Sequence, residues 1–175
     1  ILTEMKIASI LPYKENYTER GAGAVSLWIS DFMRDSVFRK SISIIGSTNN
    51  RNFLSKNYIN IDISNIKSKL NSTTKKYSNK IIKKIENQNF DIIELHNRPV
   101  MVQEFFNKIN SKIILYFHND PTTMKGAKTT QERLYLLKNV DKIVFISKWV
   151  KQRFFKNLPL LSDNKTHIIY HSIDP

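Results

Sequence analysis

The sequence predicts an α/β domain: a doubly wound, mostly parallel sheet between two helical layers, a three-layer α/β/α arrangement. Seven short apolar runs alternate with helix-patterned segments from one end to the other, the signature of strand–helix–strand units. Most of those runs are continuous in Ile, Val and Leu rather than alternating, as expected of strands that helices cover on both faces. With 175 residues, 41% of them hydrophobic, and no internal repeat or low-complexity linker, the chain suits one core, expected over residues 5–175.

The elements follow in order. KIASILP (6–12) is the first strand, and the helix expected over 23–38 places Val25, Trp28, Ile29 and Phe32 on one face, so Trp28 reads as core. SISIIG (41–46) and YINIDI (58–63) are the second and third strands. Between 64 and 88, Ile66, Leu70, Tyr77, Ile81 and Ile85 recur at helical spacing. The other face of that segment carries Lys67, Lys69, Lys75, Lys76, Lys80, Lys83 and Lys84 against Glu86, a solvated surface or a contact for an anionic membrane. FDIIEL (90–95) is followed by Pro99, which suits a first helical position. KIILYF (112–117) precedes a capping-box pattern, Thr129 with Glu132, ahead of Leu134 and Leu137. KIVFIS (142–147) runs into a helix that Ser147 is placed to cap, and THIIYH (166–171) closes the set. The expected strand order is 3-2-1-4-5, with its switch point between the first and fourth strands.

Composition removes several functions. The net charge is +13, but Arg supplies 7 of the 28 cations, and Arg is the residue suited to bidentate phosphate and base recognition. A dedicated nucleic-acid reader is therefore disfavoured against a basic surface that attracts an anionic membrane or substrate. There is no cysteine, hence no disulfide framework or thiolate metal site. Without a secretory leader pattern or an apolar run of about 18 residues, the expectation is a soluble cytoplasmic protein, peripheral at the membrane if the Lys face docks there. Ile1 to Glu4 carry no weight.

Three loops each follow a strand and should share one rim: TERGAGAVS (18–26), HNRPV (96–100) and HNDPTTMKG (118–126). Neighbouring strands lie about 4.8 Å apart, so His96 and His118, at matching ends of adjacent strands, come within reach of one ligand. Gly21 and Gly23, with Ala22 between them, let backbone approach a ligand, and the helix that follows offers free N–H groups to an anion, most suitably a diphosphate. His, Asn97 and Asn119 can exchange hydrogen bonds with sugar hydroxyls, and Asp120 can accept a hydroxyl proton or orient a donor group. Ser147 and Lys148 are secondary anion contacts. The plainer reading makes both imidazoles buried turn-holders and the glycines an ordinary helix start. A metal set of Glu94, His96, His118 and Asp120 lacks close ligand spacing, and none is expected. NAD is disfavoured because Ser26 stands where the fingerprint needs its third glycine, and Gly46, Ser47 and Thr48 supply no ribose-binding acid. There is no phosphate-loop GxxxxGK[ST] and no GxSxG elbow.

RGAGAVSLWISDF, DIIELHNRP, LYFHNDPTTMKGAKTTQERLYLL, VFISKWVKQRFFKNLP and the closing HIIYHSIDP together resemble the N-terminal domain of glycosyltransferase family 4, in particular bacterial lipopolysaccharide-type sugar transferases. The likeness runs from Lys6 to the last residue. It implies the Rossmann-like acceptor-binding half of a GT-B enzyme, whose C-terminal donor-binding domain lies outside this chain, so that the fragment alone is expected to be inactive. It further implies a retaining hexosyl-type transfer from a nucleotide-diphosphate sugar to a saccharide or lipid-linked acceptor, in polysaccharide or lipopolysaccharide synthesis, with no cofactor and no essential metal. By the same resemblance Gly21, Ala22 and Gly23 lie near the donor diphosphate and His118 contacts the transferred sugar. Asp120, His96, Asn97 and Arg98 then lie along the acceptor side, and HSIDP stands where the family has its NGID linker. The competing readings are a noncatalytic Rossmann-like module that binds a sugar or nucleotide, and a basic nucleic-acid-binding domain.

Overall fold

The computed structural model describes residues 5–49, 51–64, 72–159 and 163–171. Seven strands form a single sheet in the order β3-β2-β1-β4-β5-β6-β7, and every pairing is parallel. They are β1 (Ile7–Ile10), β2 (Ile42–Gly46), β3 (Tyr58–Asn60), β4 (Ile92–His96), β5 (Lys112–Phe117), β6 (Lys142–Phe145) and β7 (Thr166–Ile168). All seven expected strands are present, trimmed by a residue or more at half of their ends, while β4 runs one residue further than expected, to His96. The order reverses between β1 and β4, as expected for a doubly wound sheet.

Among the described residues five α-helices connect them: α1 (Ala24–Asp35), α2 (Thr73–Ile85), α3 (Val102–Phe105), α4 (Thr130–Asn139) and α5 (Lys148–Phe155). The continuous apolar runs make sense once the period of two is followed through the sheet. Ala8, Ile10, Ile45, Leu115, Phe117, Ile143 and Phe145 point to one core, which Tyr77, Ile81 and Ile85 of α2, Phe105 of α3, Leu136 of α4 and Phe154 of α5 cover. Ile7, Ile44, Tyr116 and Val144 point to the other, where Val25, Trp28 and Ile29 of α1 lie. The rings of Phe117, Phe145 and Phe154 meet at centroid distances between 5.3 and 5.8 Å.

Local signals hold at the helix ends. Thr129 and Glu132 make the reciprocal capping box of α4. Ser147 Oγ accepts from Val150 N at 3.1 Å and caps α5. Pro99 opens a 3₁₀ turn, Pro99–Met101, that runs into α3. The helical segment read over 64–88 begins at Thr73, with Ser72 as its cap; Ile66, Lys67, Lys69 and Leu70 lie outside the described residues, as does the linker from Ser172 onward. Phe32, expected on the buried face of α1, is 41% exposed and stacks on Trp28 at 5.2 Å, while Met33 beside it packs against the core.

Candidate functional site

In a parallel sheet all strand C-termini share one edge, so the three singled-out loops converge by topology alone. The structure adds the side-chain contacts. His96 ends β4 and His118 follows β5 immediately, and His96 Nδ1 lies 3.0 Å from His118 Nε2. Behind them His96 Nε2 contacts Ser9 Oγ at 2.9 Å and sits 3.6 Å from Glu94 Oε2, while the Tyr116 hydroxyl donates to Glu94 Oε1 at 3.1 Å. His96 is 1% exposed and meets the rim through its contact with His118. A relay therefore runs from the sheet interior to one partly exposed imidazole.

Trp28 fixes that imidazole from the side, edge-on at a centroid distance of 5.0 Å. Burial, with His96 and His171 nearby, pushes the His118 pKa down to about 3, so the ring is neutral across the physiological range. A neutral ring offers one donor and one acceptor nitrogen, and His96 takes one of the two. Asn97, held at φ 57, ties the two loops together: its Nδ2 donates to Asn119 Oδ1 at 2.7 Å and its Oδ1 accepts from His118 N at 3.1 Å. Asn tolerates that left-handed conformation better than most residues. Arg98 and Asn119 are exposed beside them.

The glycine loop has an occupant of its own. Gly21 needs its freedom, with φ 91, and its carbonyl accepts from Asn16 Nδ2 at 3.0 Å. Gly23 caps α1 with an ordinary extended backbone, and its lack of a side chain makes room for Glu15, whose Oε1 would lie 2.1 Å from a Cβ there. Glu15 Oε1 accepts from Ser26 N at 3.2 Å. A carboxylate thus sits at the helix N-terminus where an anion was expected, which is where the helix dipole favours negative charge.

Asp120 is engaged on both oxygens. Oδ1 accepts from Thr122 N at 2.9 Å and Thr122 Oγ1 at 2.7 Å, and Oδ2 accepts from Arg153 Nε at 2.8 Å. Desolvation works against the charge, but the Thr122 and Arg153 bonds outweigh it and hold the carboxyl below its usual range. Lys148 is exposed at the first turn of α5. Sequence reasoning missed Ser9, Glu15 and Arg153. Ser9 had a signal, as a hydroxyl inside an otherwise apolar strand; Arg153 had none, since its partner lies 33 residues away. Among the described residues no group of three or more His, Asp or Glu is arranged to hold a metal ion.

Known proteins share this architecture. The chain matches 29% of positions over 99 residues of the Bacillus subtilis (strain 168) protein named "Putative glycosyltransferase YtcC", covering 56% of this chain and 24% of that protein. Sucrose-phosphate synthase from Thermosynechococcus elongatus superposes with TM-score 0.63 at 10% identity, over 95% of this chain and 48% of its own. Anabaena Alr3699/HepE, solved with UDP and glucose, gives TM-score 0.60 at 12% identity, over 97% of this chain and 45% of its own. The chain therefore spans less than half the length of each, and the two solved structures share its fold, a Rossmann-like half of the GT-B type. The model of the family described as Glycosyltransferase Family 4 matches residues 47–175, and the chain belongs to that family.

Proposed function

We propose that this chain is the acceptor-binding half of a retaining glycosyltransferase that moves a sugar from a nucleotide-diphosphate donor to a cell-envelope polysaccharide or lipopolysaccharide acceptor. The observation that carries the reading is the His96–His118 contact at the open edge of the sheet, backed by Ser9 and Glu94. A relay of that kind holds a single neutral imidazole at the rim beside the switch point, where ligands of doubly wound sheets bind. The HepE structure containing UDP-glucose supports a nucleotide sugar as the donor class.

In this reading His118 exchanges a hydrogen bond with the transferred sugar, and its neutrality suits a hydroxyl better than a phosphate. Asn97 and Asn119 hold the loop that carries it, and Arg98 faces the acceptor side. The leaving diphosphate draws on the N-terminal amides of α1 once Glu15 moves aside, and charge developing on it is further stabilised by the donor-binding domain that we place beyond Pro175. Asp120 acts by holding its loop against α5. The exposed Lys75, Lys80, Lys83 and Lys84 of α2 are suited to an anionic membrane surface that presents a lipid-linked acceptor.

The test is His118→Ala in the full-length protein, with turnover measured against the wild type and folding checked by circular dichroism. A loss of well over about tenfold is expected, as for removal of one positioned polar group. Wild-type turnover in a folded variant removes the role assigned to His118.

A further inference from the structure

On the far side of β1 from the histidine pair, the same rim opens into a cavity of about 620 Å³. Its walls come from three consecutive strand ends: Tyr13, Lys14 and Asn16 after β1, Ser47 to Asn49 after β2, and Ile63 with Ser64 after β3. That volume lies within the range of sites that take a small molecule.

We infer that this cavity is a subsite for a sugar that bears an anionic substituent, a phosphate or a carboxylate, with Lys14 as its counter-charge. This rests on the transferase reading, and it adds to that reading the chemical class of the acceptor. Tyr13 is half-buried, set edge-on to Tyr77 at 5.6 Å, and presents an apolar wall of the kind a sugar ring lies against. Asn16, Ser47, Thr48, Asn49 and Ser64 are neutral hydrogen-bonding residues, the set that reads hydroxyls. Among the described residues, Lys14 is the one charged residue in the lining. Its backbone is held left-handed at φ 63, with its N–H donating to Ser47 Oγ at 3.1 Å. A non-glycine residue pays for that conformation, so the surrounding contacts impose it. Its ammonium lies 5.6 Å from the centroid of the Tyr13 ring and pairs with no carboxylate among the described residues. The two nearby acids are occupied: Glu15 caps α1, and Asp62 Oδ1 accepts from Ser64 N at 2.8 Å. Asn16 links the cavity to the glycine loop, because its Oδ1 accepts from Thr48 Oγ1 while its Nδ2 holds the Gly21 carbonyl. An acceptor seated here would abut the loop nearest the donor.

The experiment is titration calorimetry on the full-length protein with glucose 6-phosphate, glucuronate, methyl glucoside and, separately, UDP. Glucose 6-phosphate or glucuronate should bind more tightly than methyl glucoside. Lys14→Gln should weaken the anionic ligands by roughly tenfold or more, the loss expected for one charge-assisted hydrogen bond, while Lys138→Gln on α4 and the affinity for UDP show no such change. Thr48→Val should weaken all three sugars, which a general surface attraction would not do. Equal binding of neutral and anionic sugars, or anionic binding that Lys14→Gln leaves intact, overturns the inference. If UDP binds and sugar transfer proceeds in that case, the inference fails alone; if anionic sugars bind through Lys14 but no transfer occurs, the transferase reading fails alone.

Discussion

The carboxylate of Glu15 occupies the volume that a side chain at Gly23 would fill, with its oxygen 2.1 Å from where a Cβ would stand, and it accepts the Ser26 amide at 3.2 Å. The helix N-terminus that could receive a diphosphate is thereby filled from within the chain. Glu15→Gln removes the negative charge while keeping the shape. Because a charge at a helix N-terminus is worth up to about 2 kcal/mol, the variant should bind UDP several-fold more tightly in the full-length protein while losing a little stability. Unchanged or weaker UDP binding, read by calorimetry, would place the diphosphate elsewhere.

His118 yields a pH prediction. In the unfolded chain a histidine takes its proton near pH 6.5, but in the fold this one resists until about 3. Between those values the unfolded state binds more protons, so stability contributed by the neutral ring is full above about 6.5 and declines as the pH falls toward 3. Urea unfolding of wild type and His118→Asn across that window should diverge in slope, with the variant flatter. Parallel profiles would mean that the ring titrates normally in the fold.

Asp120 and Arg153 separate two roles by comparison of variants. If the carboxylate acts by bracing its loop on α5, Asp120→Asn and Arg153→Ala should lower turnover by similar factors, since each breaks the 2.8 Å contact. The pair is partly exposed, so the cost in global stability should stay within about 1 kcal/mol. A large loss for Asp120→Asn with near-normal turnover for Arg153→Ala would instead assign Asp120 to the chemistry.

Gly126 is where the loops after β4 and β5 meet. It has φ 92, and a Cβ there would stand 2.6 Å from Val100 N, a backbone atom that cannot swing away. Gly126→Ala should cost more than about 1 kcal/mol, since both the conformation and the space oppose it. Equilibrium denaturation measures it, and a neutral result would mean that the two loops separate at little cost.

The tolerance of these loops to change should also differ by neighbour. Arg133, 2% exposed, donates to the carbonyls of Ala127, Lys128 and Lys156 and so ties the loop before α4 to the end of α5. Arg133→Met keeps most of the volume but leaves those three carbonyls without that donor, each a cost on the order of 1 kcal/mol or more. Thermal unfolding should register it as one of the larger single losses in the chain.

The seven strands, the parallel order of the first five, the caps at Thr129 and Ser147 and the shared rim of three loops were all legible in the sequence, because apolar runs, capping residues and strand–helix alternation are local and periodic. Tertiary structure decided the rest. The sequence places His96 and His118 near one another, but only burial shows that His96 lies within and His118 at the edge, with Ser9 brought in from 87 positions away. Likewise only the folded path of 15–26 shows Glu15 filling the helix end, and only packing of α5 on the β5 loop gives Asp120 its Arg153 partner. Periodicity tells which face of an element is apolar; which polar groups meet across elements depends on strand register and helix rotation, and those are set by the whole core at once.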